Sequence, residues 1–504
     1  MISMPRIDRV LLSAGLSGLL LAAAFPRPDF YPLAWVGLLP MLLTMRRRPF
    51  AAGFTCGLFF FGAVLYWLNI VMTTYGGLAP IFSLLAYFFL LVYLALYFAV
   101  PVWLSCRCED LLNLPVLLTL PVFWVTAEYL RGLLLTGFPW ALLGYSQQNF
   151  AVAIQSADVT GVHGVSFLLV LVNCALAWII SAPRSRRARI GFGLVVLVCC
   201  SHFGYGFWRL SQPLAKRAET LKVALVQGNI DQAQKWDPAF QRTNVDKYLH
   251  LSAQAALKHP DLVVWPEAAT PFYLQDPIPL ARRVKREAQQ LGSTFLIGSP
   301  AYREVGPEQF EYFNSAYLIS ATGREVGRSD KIHLVPFGEY VPLGKLLSFV
   351  DKMVVGVGDF SPGTIRPLRL NGHQLGVLIC YEAIFPELAR AYVQGGADLL
   401  VNITNDAWFG RSSAPYQLLA MTRFRAIENR IWLARAANTG ISALISPAGK
   451  VVASGPLFKD FFLTGTVGLG AGHTLYTRCG DVFAWGCLAL TALIALLAVR
   501  RRRA

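Results

Sequence analysis

Residues 376–387 read GVLICYEAIFPE, an apolar run that ends in one cysteine with Tyr381 and Glu382 directly behind it. A short run of apolar and β-branched residues closed by polar groups reads as a strand, so Cys380 falls at a strand's carboxyl end. A cysteine so placed is either a small buried hydrophobe or a nucleophile, and the residues around it must decide between them.

Moving outward, similar strand-like runs occur at 221–230, 261–267, 293–300, 314–320, 398–406 and 440–455. Helical periodicity fills gaps between several of them, over 240–257, 280–291, 386–393 and 415–431. This alternation predicts a separate α/β domain with its functional groups at the carboxyl ends of strands. Glu267 follows VVWP, Cys380 follows GVLI, and Asn402 to Asp406 follow LLV, so polar groups from separate strands converge on one sheet edge.

The rest of the chain is different in kind. With 504 residues, 55% of them hydrophobic, and a mean hydropathy of +0.48, it is too apolar for an ordinary soluble protein and too long for one domain. Apolar stretches at 10–25, 32–43, 50–72, 79–104, 115–130, 165–180, 190–208 and 482–499 predict about eight transmembrane helices, the first two short for a bilayer core. Arginines cluster in every second connection: Arg6 and Arg9, Arg46 to Arg48, Arg107, Arg184 to Arg189, and Arg500 to Arg503. The positive-inside rule then places both termini in the cytoplasm and 211–480 outside. The expected organisation is a seven-span membrane domain over 1–210, an external catalytic domain over 211–480, and a last span with an arginine-rich tail over 481–504. The first span also has the look of a signal peptide, with Ala22 to Ala24 as small residues, but parity holds only if it stays as an anchor. The net charge of +16 is accounted for by this topology and requires no nucleic acid.

Of nine cysteines, only Cys380 and Cys479 fall outside the spans, so no disulfide framework is expected. There is no GxGxxG after a strand, no GxxxxGK[ST] and no HExxH, and the seven histidines are scattered; neither cofactor nor metal is predicted. GVGDF at 356–360 reads as a turn.

Three motifs make the site specific: WPE at 265–267, DKIHLVPFGEYVP at 330–342 and CYEAIFPE at 380–387. In that order they resemble the nitrilase, or carbon-nitrogen hydrolase, superfamily over about 221–456. The resemblance implies a four-layer α-β-β-α sandwich and a triad of Glu267, Lys331 and Cys380. With the spans and FPWALLGYSQ at 138–147, nearly the whole chain is similar to the apolipoprotein N-acyltransferase family of the bacterial inner membrane. That implies a periplasmic active site, a phospholipid donor, typically phosphatidylethanolamine, and an acceptor that is the α-amino group of a lipoprotein's diacylglyceryl-cysteine.

The chemistry agrees with these residue types. Acyl transfer from an ester to an amine needs a nucleophile, a proton carrier and oxyanion stabilisation. Cys380 would attack as a thiolate and carry the acyl group as a thioester; a free thiol titrates near about 8.5, so a cation is needed to lower it. Lys331 would be that cation and would stabilise the oxyanion, while Glu267 would carry protons. By resemblance Glu339 orients Lys331, Tyr381 and Glu382 supply an oxyanion-hole amide and a supporting carboxylate, and Trp236 lies near the site mouth. Asn405, Asp406 and Trp408 match as loop architecture.

Two stretches concern lipid access. The apolar segment 341–360 reads as a lid dipping into the leaflet or as a buried helix. Glu128 and Arg131, three apart, could pair on one helix face, and 132–147 would line a route to Cys380. Two rivals stand beside the acyltransferase: a membrane-tethered amidase using water as acceptor, and a transporter or lipid-binding protein whose outer domain only recognises ligand.

Overall fold

A computed structural model of the chain describes residues 8–212, 219–340 and 360–503. Residues 341–359, proposed above as a lid or helix, lie outside the described residues. The chain divides into two compact units, one of Met1–Asn69, Leu78–Gln212 and Cys479–Ala504, the other of Ile70–Gly77 and Pro213–Arg478.

The first unit is helical and apolar. Among the described residues four helices are long and apolar enough to cross a membrane: Pro80–Leu112, Ala157–Ser181, Arg186–Ser211 and Val482–Arg501. A fifth is reached if the bent pair Pro49–Val64 and Leu68–Tyr75 counts as one span. Two further expected stretches form shorter helices, Arg9–Ala23 of 15 residues and Val116–Arg131 of 16. Glu128 and Arg131 turn to a neighbouring loop. Glu128 Oε1 accepts from the Leu143 amide at 2.7 Å and from Trp124 Nε1 at 3.2 Å, and Arg131 donates to the Trp140 carbonyl at 2.9 Å. Buried charges survive in apolar surroundings when such bonds satisfy them, and these two fasten residues 140–143 to the helix.

The described residues of the second unit hold twelve strands in two six-stranded sheets. They are β1 (Thr220–Gln227), β2 (Leu262–Val264), β3 (Thr294–Gly306), β4 (Gln309–Ile319), β5 (Glu325–Asp330), β6 (Leu368–Leu370), β7 (His373–Ile379), β8 (Leu399–Thr404), β9 (Leu433–Ala437), β10 (Ala443–Ile445), β11 (Val451–Ser454) and β12 (Phe461–Gly468). One sheet has the order β12-β1-β2-β3-β4-β5 and the other β11-β10-β9-β8-β7-β6. Each carries three parallel strands at its centre, β1-β2-β3 or β7-β8-β9, with antiparallel neighbours outside.

Alternation along the strands builds the layers. Leu221, Val223 and Leu225 of β1 join Leu375, Val377 and Ile379 of β7 in one core between the sheets. The opposite face of the first sheet, with Ala224, Val226 and Val263, packs on Val245 and Leu249 of helix Gln241–Ala256 and on Ala281 and Val284 of helix Pro279–Leu291. The second sheet's outer face, with Leu378, Leu400 and Leu433, packs on Ala389 and Tyr392 of helix Pro386–Gln394 and on Ala426 of helix Ala414–Asn429. This is the expected α-β-β-α sandwich. Strands β5, β6, β9 and β12 were not among the runs that periodicity picked out.

Candidate active site

The carboxyl ends of β2, β7 and β8 and the end of β5 meet at one place. Glu267 follows β2 by three residues, Lys331 follows β5 directly, and Cys380 follows β7 directly. All three are buried, with Lys331 only 1% exposed.

Cys380 occupies a left-handed backbone conformation, φ 57°, at the head of the 3-10 turn Cys380–Ile384. A residue with a Cβ is strained there, and the turn persists because its neighbours fix it. Glu382 is the chief restraint. Its Oε2 accepts from the Ile379 amide at 2.6 Å, and its Oε1 from the amides of Ile332 at 2.5 Å and His333 at 3.0 Å. One carboxylate therefore ties the cysteine turn to the segment that carries Lys331. Burial raises this carboxyl to about 7, against the downward pull of those three amides. Tyr381 packs its ring on Phe385 and His333, with centroids 5.1 and 5.9 Å away.

Lys331 Nζ lies 2.9 Å from Glu339 Oε1 and 3.6 Å from Glu267 Oε1. Burial alone would push the ammonium's pKa down, but the two carboxylates outweigh it and hold Lys331 protonated well above the ordinary lysine range. Glu339 is fixed in turn by the Val335 amide, which donates to its Oε2 at 2.9 Å. Glu267 is the most heavily engaged group. Its Oε1 accepts from Asn314 Nδ2 at 2.7 Å and its Oε2 from the Asn405 amide at 2.8 Å, and the Cys380 thiol lies near enough to interact with the carboxylate. Burial works to raise its pKa, yet Lys331, Lys235 and these bonds prevail and leave Glu267 ionised, below the usual carboxylate value.

Burial first, and the Glu267 charge second, push the Cys380 thiol up to about 12, and Lys331 only partly offsets them. The sulfur is a thiol beside an ionised carboxylate and a cation.

Two residues here were not anticipated, Lys235 and Asn314, and a third, Thr404, was anticipated only as part of the polar stretch 402–406. Lys235, 2% exposed, donates from Nζ to the Glu267 carbonyl at 3.0 Å, and burial lowers its ammonium to about 8. Asn314 bridges the acids, donating from Nδ2 to Glu267 and, at 3.0 Å, to Glu339 Oε1. Thr404, at the end of β8, stands beside Cys380, one step past the Ile379–Ile403 register pair. For Lys235 and Asn314 the one legible signal was an asparagine inside the strand-like run FNSAYLI. Trp236 follows Lys235, is half-buried, and contributes none of these contacts. Asn405 serves through its backbone, and its side chain bonds Gln232 and Asn438, in keeping with loop architecture. Trp408 lies in the following 3-10 turn, Asp406–Phe409. Among the described residues no group of three His, Cys, Asp or Glu side chains could hold a metal ion.

Chemically the arrangement sets a thiol, a carboxylate and a fixed cation side by side in buried surroundings, a set of groups suited to acyl transfer. Comparison with known proteins follows the same lines. The carbon-nitrogen hydrolase family model matches residues 222–471, and that of the apolipoprotein N-acyltransferase N-terminal domain matches 17–175. The apolipoprotein N-acyltransferase of Geobacter metallireducens is 49% identical over 510 residues, covering 99% of this chain and 97% of its own length. That of Methylococcus capsulatus is 37% identical, covering 90% of this chain and 87% of its own. Among solved structures, Saccharomyces cerevisiae Nit3, a member of branch 10 of the nitrilase superfamily, aligns at 19% identity and a TM-score of 0.39, over 50% of this chain and 91% of that one.

Proposed function

The chain belongs to the apolipoprotein N-acyltransferase family, and from that premise we propose that it moves an acyl chain from a phospholipid, through a thioester on Cys380, to the α-amino group of a diacylglyceryl-cysteine at a lipoprotein's N-terminus. The observation that carries the reading is the Cys380 thiol on a strained turn, beside an ionised Glu267 whose Oε1 lies 3.6 Å from the Lys331 ammonium.

Glu267 takes the thiol proton as the sulfur attacks the acyl ester carbonyl. Lys331, held by Glu339, and the Tyr381 amide stabilise the oxyanion. Glu267 then protonates the departing glycerol oxygen, and lysophospholipid leaves. In the second half Glu267 deprotonates the incoming amine, which attacks the thioester; the sulfur departs and recovers a proton. Glu382 keeps the nucleophile and the cation in register, and Trp236 contacts substrate at the mouth of the site. The donor is phosphatidylethanolamine in this reading. Eight spans, with both termini cytoplasmic and the catalytic domain over 211–480 periplasmic, set the site at the outer face of the inner membrane, where donor and acceptor are both anchored.

The test is transfer itself. Purified full-length protein in mixed micelles with phosphatidylethanolamine carrying one isotopically labelled acyl chain and a diacylglyceryl-cysteinyl peptide should yield N-acyl peptide and lysophospholipid in equal amounts. Cys380→Ala should yield neither. Ammonia released from a small amide by protein that leaves phosphatidylethanolamine intact would instead favour the amidase reading.

A further inference from the structure

Strand β8 delivers more than an edge to the pocket. Thr404, Asp406 and Arg435 are each fully buried, at 0% exposure. The Thr404 hydroxyl donates to Asp406 Oδ1 at 2.8 Å, and Asp406 Oδ2 accepts from Arg435 Nη2, also at 2.8 Å. Arg435 Nη1 donates to Asn402 Oδ1, and Asn402 Nδ2 donates to the carbonyls of Leu378 at 2.8 Å and Cys380 at 3.5 Å. One guanidinium from β9 thus roots two branches, one ending on the backbone of the cysteine turn and the other on Thr404, which stands beside Cys380 on the neighbouring strand, one step past the Ile379–Ile403 register pair.

A hydroxyl has one proton, and Thr404 has two neighbours able to accept it, the Asp406 carboxylate and the Cys380 sulfur. A thiol sulfur is a weak acceptor, so in the resting protein the proton points to Asp406. A thiolate is a charged acceptor and competes for it. We propose that Thr404 is a catalytic hydrogen-bond donor that swings its O–H from Asp406 to the Cys380 sulfur as the thiol proton leaves for Glu267, with Asp406 and Arg435 as positioning residues. No bond of Thr404 breaks. The thiol proton goes to the Glu267 carboxylate, and the O–H only rotates. When the sulfur becomes a thioester it loses its charge and the O–H returns to Asp406; the rotation repeats when the amine expels the sulfur. Arg435 keeps Asp406 paired while Thr404 is turned away, so no buried carboxylate is left bare.

The inference rests on Cys380 being the nucleophile, and the experiment separates the two. Full-length wild-type protein, Thr404→Val and Thr404→Ser are alkylated with iodoacetamide from pH 6 to 10, and the Cys380 peptide is quantified by mass spectrometry. The charges facing the sulfur, Glu267, Lys331, Asp406 and Lys235, are the same in all three. Thr404→Val should react about tenfold more slowly at each pH, the loss of one hydrogen bond to a charged acceptor. Thr404→Ser should recover most of the rate. Should valine not fold, Thr404→Ala, which leaves space instead of crowding it, carries the same expectation. A folded Val or Ala variant that reacts like wild type, or a serine variant as slow as valine, overturns the proposal. A wild-type protein that never carries an acyl mass on Cys380 after exposure to phosphatidylethanolamine removes the nucleophile reading instead.

Discussion

Glu382→Gln is the substitution whose cost can be worked out most fully. The carboxylate, 1% exposed, accepts three backbone amides: Ile332 and His333 at one oxygen, Ile379 at the other. A glutamine has a single acceptor oxygen. If that oxygen stays with Ile332 and His333, the amide NH2 faces the Ile379 N–H across the 2.6 Å that the carboxylate bridged. One buried donor is orphaned, at about 1–3 kcal/mol, and two charge-assisted bonds become neutral, at about 1 kcal/mol each. The sum is about 3–5 kcal/mol, which for a unit of this size lowers the melting temperature by about 10 °C. Because Ile379 precedes the strained Cys380, loosening it also moves the sulfur, and a displacement near 1 Å costs about 100-fold in turnover. Thermal unfolding of the full chain in detergent, with acyl transfer measured well below the transition, reads both effects. A Glu382→Gln protein melting within about 2 °C of wild type and turning over within about threefold would refute the reasoning.

Two further outcomes follow from the same geometry. Lys235 has its ammonium lowered to about 8 by burial, so between that pH and its ordinary value the unfolded chain holds a proton that the folded chain lacks. Stability should therefore rise with pH across roughly 8 to 10.5, by up to about 3 kcal/mol relative to Lys235→Met; melting curves of both proteins at pH 7.5 and 9.5 that differ by a constant amount would contradict this. On β3, a Cβ added to Gly298 would lie 2.2 Å from the Pro266 carbonyl oxygen and 2.7 Å from the Glu267 Cα, closer than any side chain is tolerated. Gly298→Ala should displace Glu267 and reduce turnover by about 10- to 100-fold, whereas Gly306→Ala on the same strand, whose Cβ would approach nothing nearer than 3.4 Å, should not; equal rates for the two variants would count against the placement of Glu267.

The strands that carry Glu267 and Cys380 were legible because each is a compact apolar run stopped by a polar residue. Strand β9 was not: LARAA is made of helix formers, and only burial between β8 and β10 turns it into a strand. Strand β12 pairs with β1 from more than 200 residues away, a contact that local periodicity cannot report. Lys331 and Glu339 could be named from their motif, yet their effect on the thiol could not, because it depends on how burial and the Glu267 charge compare with a cation's reach. Lys235 was passed over beside its more conspicuous neighbour Trp236, and Thr404 looks like any β-branched strand residue until the fold sets it against sulfur. In the helical unit the eight apolar stretches exceed the helices long enough to cross by themselves, since several break into shorter pieces.

The central claim is that Cys380 carries the acyl group. Full-length protein is incubated with phosphatidylethanolamine of one defined acyl composition, with no acceptor present, and the peptide containing Cys380 is weighed by mass spectrometry. The account predicts that this peptide gains the mass of one acyl chain, removable by hydroxylamine and absent from Glu267→Gln. An unmodified Cys380 in folded, lipid-exposed protein that still acylates an acceptor would contradict it.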